Sequence, residues 1–175
     1  MAKEIERKFL VASDGWQHLA RGIHYRQGYI CSGKGQTVRV RVVENKGILT
    51  IKGATQGISR SEYEYPIPLD DALEMLEELC EKPIIVKKRY HIYVAGFTWE
   101  VDQFLDENEG LVIAEIELSH ENQSFNKPEW IGTEVTGIPR YYNACLHQHP
   151  YNQWNPEEIA VQEIQPSENI MSTMK

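Results

Sequence analysis

"KEIERKFLV" (residues 3–11) ends in the apolar run Phe9-Leu10-Val11, which marks a β-strand. Side chains on a strand alternate faces with period two. Glu4, Glu6, Lys8 and Leu10 then share one face, and Ile5, Arg7, Phe9 and Val11 share the other. The second face carries a single charge and suits packing. The first carries two acids and a lysine, which need water or a charged partner.

The pattern recurs along the chain. Arg39 and Arg41 alternate with Val38, Val40 and Val42, and Thr50 and Lys52 alternate with Leu49 and Ile51. Arg60, Glu62 and Glu64 oppose Tyr63 and Tyr65, and Lys87 and Arg89 fall in phase. Glu100 and Asp102 alternate with Trp99, Val101 and Gln103, and Glu115 and Glu117 with Ile116 and Leu118. For any one strand, a solvated face of a half-buried antiparallel sheet explains the pattern. Taken together, the strands are strongly apolar on one side and strongly ionic on the other, with few neutral polar residues and with the signs sorted by strand. If the ionic faces converge, they line a lumen, and a barrel of about eight strands holds one small ligand. Such a lumen must be wet, internally paired and made for a highly charged guest, because unpaired buried charge is costly.

The six cations Lys8, Arg39, Arg41, Lys52, Lys87 and Arg89 suit a polyphosphate, whose oxygens match guanidinium forks and ammonium point charges. The carboxylates suit a hard divalent cation such as Mg²⁺. Both sets together point to attack of water on phosphorus, assisted by a metal and by fixed positive charge.

The remaining elements fit one domain. Residues 13–20 read as a short helix capped by Ser13 or Asp14, 68–82 as an amphipathic helix and 141–148 as another short helix. Strands are expected at 24–31, 36–44, 47–53, 58–67, 84–96, 97–105 and 111–119, with Asn45 and Gly47 forming one turn and Ala95-Gly96 another. The fold class is β-rich α+β: about eight antiparallel strands, closed or nearly so, with helices outside. Residues 151–175 form a polar tail containing Pro156 and Pro166. The 175 residues are enough for a real core, and a net charge of −8 argues against a nucleic-acid binder. No apolar run is long enough to span a membrane as a helix, and no signal-peptide pattern is present. Three scattered cysteines suit a reducing cytoplasm.

The ordered set of motifs resembles the CYTH superfamily of triphosphate tunnel metalloenzymes. It runs from the ExExK pattern of Glu4, Glu6 and Lys8 through "VRVR" (Arg39, Arg41), "LTIKG" (Lys52), "SRSEYE" (Glu62, Glu64) and "KKRY" (Lys87, Arg89). It continues through "WEVDQF" (Glu100, Asp102), "AEIEL" (Glu115, Glu117) and the closing "IGTEVTGIPRYYNACL". The likeness covers roughly residues 3–148, and a CYTH domain is taken as 1–150. It implies an eight-stranded antiparallel closed barrel that binds a triphosphate end-on with Mg²⁺ or Mn²⁺. Glu4, Glu6 and Glu117 would hold the metal, with Glu115 as second choice. Lys8, Arg39, Arg41, Lys52, Lys87 and Arg89 would grip phosphate. Glu6, Lys8, Glu62 and Asp102 are the catalytic candidates, and Glu62, Glu64, Glu100 and Asp102 would bind a second metal or orient water.

The family contains tripolyphosphatases, thiamine and RNA triphosphatases and class IV adenylate cyclases; this chain most resembles the short bacterial tripolyphosphatases. Tripolyphosphate is the expected substrate. A cyclase of the same fold and a non-catalytic polyphosphate binder stay open, as does a homodimer. His91, in phase with Lys87 and Arg89, and Arg140, after a Gly-Ile-Pro turn, are not assigned to the site; His147 and His149 are expected at the surface, Trp99 and Trp130 in packing, and Gly33-Lys34-Gly35 in a hairpin turn.

Overall fold

The computed structural model describes residues 5–33, 35–53 and 61–160. The chain runs through β1 (Ile5–Val11), β2 (Ile23–Gly33), β3 (Gln36–Val43), β4 (Lys46–Lys52), β5 (Glu62–Ile67) and α1 (Leu69–Glu78). It continues through β6 (Ile85–Val94), β7 (Phe97–Phe104), β8 (Val112–Leu118), β9 (Ile131–Glu134), α2 (Asn143–Gln148) and α3 (Pro156–Ala160). The strands form one antiparallel sheet in the order β5-β4-β3-β2-β6-β7-β8-β1-β9.

The expected eight-stranded closed barrel is corrected in two respects. Among the described residues there are nine strands, and β5 and β9 do not pair with each other. The ninth strand takes the edge of β1 that closure onto β5 would need, pairing Phe9 with Glu134 and Val11 with Ile131. The sheet still curls, since side chains from β1 through β8 border one cavity.

Three apolar clusters hold this curl. Phe9, Trp99, Val101, Ala114 and Ile116 form the outer face of β1, β7 and β8, covered by Trp16 and Trp130. Val40 and Val42 of β3 pack under Ala72 and Leu76 of α1. The third cluster lies on the charged face itself. Leu10, Ile85, Phe104 and Ile113 continue the faces of Lys8, Lys87, Asp102 and Glu115, and are sealed by Tyr141, Leu146 and Trp154. The inner face therefore turns apolar at one end.

Local details depart from the sequence expectation. Residues 13–20 form turns, not a helix, closed by Gln17 N–H to Asp14 O (3.0 Å) and Leu19 N–H to Trp16 O (3.0 Å). At the β3–β4 turn, positive φ falls on Glu44 (52°). Gly47 lies inside β4, where an added Cβ would sit 2.7 Å from the Ala72 Cβ. It is needed for the close approach of α1. The Ala95-Gly96 turn forms as expected, with φ of 51° and 87°. Beyond α2, Trp154 is buried and packs edge-on against Tyr141 at 5.3 Å.

Candidate active site

Register decides which side chains meet. Across β1 and β8, Glu6 faces Glu117 and Lys8 faces Glu115; across β8 and β7, Glu115 faces Glu100. Arg89 faces Asp102 across β6 and β7, Lys52 faces Glu62 across β4 and β5, and Thr50 links Arg39 to Glu64. Opposed residues in an antiparallel ladder lie on one face, so these charges belong to one surface. That surface encloses a cavity of about 1110 Å³, lined by six cations (Lys8, Arg39, Arg41, Lys52, Lys87, Arg89) and six glutamates (Glu6, Glu62, Glu64, Glu100, Glu115, Glu117). Two predicted residues stand apart. Glu4 lies outside the described residues. Asp102 is 1% exposed and sits behind the wall, beneath the two cations of β6.

The two halves of the cavity differ in charge balance. On β1 and β6–β8 the ions are tightly paired. Asp102 receives Lys87 Nζ at 2.6 Å and Arg89 Nε and Nη2 at 2.6 Å each. Arg89 also bonds Glu100 and reaches Glu115 at 3.2 Å, while Lys8 joins Glu6 (2.6 Å) to Glu115. Burial alone would push the Asp102 carboxyl up, but Lys87 and Arg89 outweigh it and hold its pKa at about 2. Burial lowers the Lys87 ammonium, with Asp102 opposing and Arg89 adding to the shift. Burial works against the charge on Lys8 as well, yet Glu115 and Glu6 raise its pKa.

On β3–β5 the pairing is loose. Arg39 Nη2 donates to Thr50 Oγ1 at 3.3 Å, Arg41 Nη2 to Glu64 Oε2 at 3.4 Å, and Lys52 lies 3.0 Å from Glu62. The Nε atoms of Arg39 and Arg41 are buried, with no hydrogen-bond partner among the described residues. Burial, and then the neighbouring charge of Arg41, lowers the Arg39 pKa. Buried donors without acceptors are rare, and an anion would supply what this pair lacks.

The carboxylate half fits a hard cation in its donor chemistry. Glu6 and Glu117 are opposed across the β1–β8 ladder with Glu115 next to them, and all offer oxygen only. Among the described residues, no three His, Cys, Asp or Glu side chains converge at ligand spacing. The Lys8 ammonium holds Glu6 and Glu115 together.

Residues 2–142 match the family model described as the CYTH domain. The chain belongs to the CYTH family. It is 60% identical over 154 residues to an inorganic triphosphatase of Acetivibrio thermocellus, which covers 88% of this chain and 99% of that protein. The crystal structure of an inorganic triphosphatase matches with a TM-score of 0.66 at 33% identity, over 84% of this chain and 95% of the other. A candidate adenylate cyclase from Bacillus halodurans shares the fold at a TM-score of 0.53 and 16% identity, over 69% of this chain and 84% of its own.

The CYTH cavity also contains residues that sequence reasoning passed over. Tyr25, Gln27 and Tyr29 line it from β2, and Tyr142, Asn143 and Cys145 from the segment at α2. The Tyr25 ring lies 5.6 Å from the Arg89 guanidinium and 5.9 Å from that of Arg41, bridging the two halves. The signal was present, since Tyr25, Gln27 and Tyr29 alternate in phase on a predicted strand; they lack the charge that drew attention elsewhere. His91 stands 3.5 Å from Glu100. Arg140 turns away from the cavity, with its guanidinium 5.6 Å from the Trp154 ring and a bond to the Glu158 carbonyl (3.1 Å). His147, expected at the surface, is 2% exposed because α2 folds it inward. Lys34, in the expected 33–35 turn, lies outside the described residues.

Proposed function

We propose that this CYTH protein hydrolyses inorganic tripolyphosphate to pyrophosphate and orthophosphate, with Mg²⁺ or Mn²⁺ as cofactor, in the cytoplasm. The observation that carries the reading is the buried Nε pair of Arg39 and Arg41, without a partner among the described residues, in a cavity that six cations line. The 60% identity to an inorganic triphosphatase supports it. All three cysteines are free, which suits a reducing compartment.

In this mechanism Arg39, Arg41 and Lys52 take the phosphate oxygens, exchanging long internal bonds for charge-assisted ones. Lys87 and Arg89, fixed from behind by Asp102, face the same chain from the opposite half and oppose the negative charge that grows on its oxygens during bond cleavage. Lys8 keeps Glu6 and Glu115 in place. Glu6 and Glu117, with Glu115 beside them and Glu4 on the same alternation, would hold the cation. When bound, the cation supplies Lewis-acid polarisation and neutralises part of the substrate's charge. Glu62 and Glu64, beside Lys52 and Arg41, would orient a water by hydrogen bonding.

The test is orthophosphate release from tripolyphosphate with Mg²⁺ or Mn²⁺, with excess chelator as the control. The reading predicts release that the chelator abolishes. Cyclic AMP from ATP without orthophosphate from tripolyphosphate would replace it with the cyclase reading. Tight tripolyphosphate binding without turnover would leave only a binder.

A further inference from the structure

We propose that His147 is a positioning residue: with Glu81 and the Pro83 carbonyl it latches α2 against the phosphate-gripping wall, and so sets affinity for tripolyphosphate. The proposal rests on the triphosphatase reading above. His147 Nδ1 lies 2.9 Å from the Pro83 carbonyl oxygen, and Nε2 lies 2.9 Å from Glu81 Oε2. Both partners are acceptors, so both ring nitrogens are called on to donate. The ring is 2% exposed, and such a group is not placed in a core for packing alone.

The latch faces the site in two directions. The ring lies 5.4 Å from that of Tyr29, which lines the cavity and stands opposite Arg39 in the β2–β3 ladder. Gln27 Nε2 donates to the Tyr29 hydroxyl at 3.3 Å, tying the same ring to the wall. In the other direction, Asn143 lies one helical turn before His147, on the same face of α2. Its Oδ1 stands 3.5 Å from Lys87 Nζ. Fixing His147 thus fixes both the wall behind Arg39 and the neutral acceptor beside Lys87. Tyr29 stands directly opposite the binding cation Arg39, whereas the Asn143–Lys87 contact is at the long limit of a hydrogen bond and Lys87 is held by Asp102 at 2.6 Å, so the larger effect falls on binding.

The test measures KM and kcat for tripolyphosphate in wild type, His147→Leu, His147→Gln and the double variant His147→Leu/Glu81→Ala. Leucine fills much of the space but donates nothing, and KM should rise about threefold or more with kcat within about twofold. Glutamine retains a donor, and KM should stay within about twofold of wild type. The double variant should be no worse than His147→Leu, as expected of one coupled unit. A smaller rise in KM for folded His147→Leu, a loss confined to kcat, or additive effects would overturn the proposal. Glu81 has an exposed side chain, so Glu81→Ala alone decides the matter if His147→Leu does not fold: a raised KM supports the latch and an unchanged KM refutes it. If wild type does not hydrolyse tripolyphosphate, the function reading fails separately. The same variants then test the latch by calorimetric Kd for tripolyphosphate.

Discussion

Replacing Asp102 by alanine removes the buried acid beneath Lys87 and Arg89 and tests whether the ionic wall is held from behind. Asp102 accepts three hydrogen bonds at 2.6 Å and is 1% exposed, so its loss leaves Lys87 without its buried counter-ion and Arg89 with Glu100 and Glu115 alone. Breaking a buried pair from one side costs about 3–5 kcal/mol. For a chain of this length each kcal/mol moves Tm by about 2–4 °C, so Tm should fall by roughly 6–20 °C. Acid provides an independent measure. The Asp102 carboxyl has an unfolded value of 3.8 and a folded value of about 2. A depressed folded pKa stabilises above the unfolded value and stops doing so as pH falls through the folded one. This contribution of about 2 kcal/mol is complete above about pH 5 and gone below about pH 2. It is smaller than the cost of deletion because a protonated carboxyl still fills the site and accepts hydrogen bonds. Thermal and urea melts followed by tryptophan fluorescence from pH 7 to 2 would show the wild-type advantage over Asp102→Ala narrowing as pH falls. A loss below about 1 kcal/mol at pH 7, or a gap that widens towards acid, would refute the reasoning.

Arg41→Ala and Arg39→Ala should each raise KM for tripolyphosphate by about 10- to 100-fold in steady-state assays, the worth of one or two charge-assisted bonds. Glu6→Gln should cut kcat far more than calorimetric triphosphate affinity, because it weakens the proposed cation site and leaves the guanidiniums intact. Gly47→Ala should destabilise the fold by about 1–3 kcal/mol in urea melts through overpacking against Ala72, with KM unchanged in what remains folded.

Much of the site was legible because charge at every second residue fixes the face of each strand without knowledge of its neighbours. The phase of Glu6, Lys8, Arg39 and Arg41 needs only the pleat. What the pleat does not give is depth. Asp102 shares its alternation with Glu100, yet it lies under the wall because two cations close over it. Nor does alternation say where a charged face ends; Leu10, Ile85, Phe104 and Ile113 become a buried cluster only once Tyr141 and Leu146 cover them. Strand β9 escaped notice because "IGTE" is short and half-buried, with little pattern of its own. The inward turn of His147 depends on contacts with Glu81 and Pro83, more than sixty residues away in the chain. Gly47 looked like a turn glycine, but its role is set by a helix that begins 22 residues later.

The central claim is that the ionic faces of separate strands converge to receive one triphosphate. A crystal soaked with tripolyphosphate and Mg²⁺ tests it directly. The account predicts one phosphate chain inside the cavity, with oxygens on the Nε atoms of Arg39 and Arg41 and at least one oxygen on Lys87 or Arg89. Tripolyphosphate bound only on the outer surface, with the Arg39 and Arg41 Nε atoms still unpartnered, would contradict it.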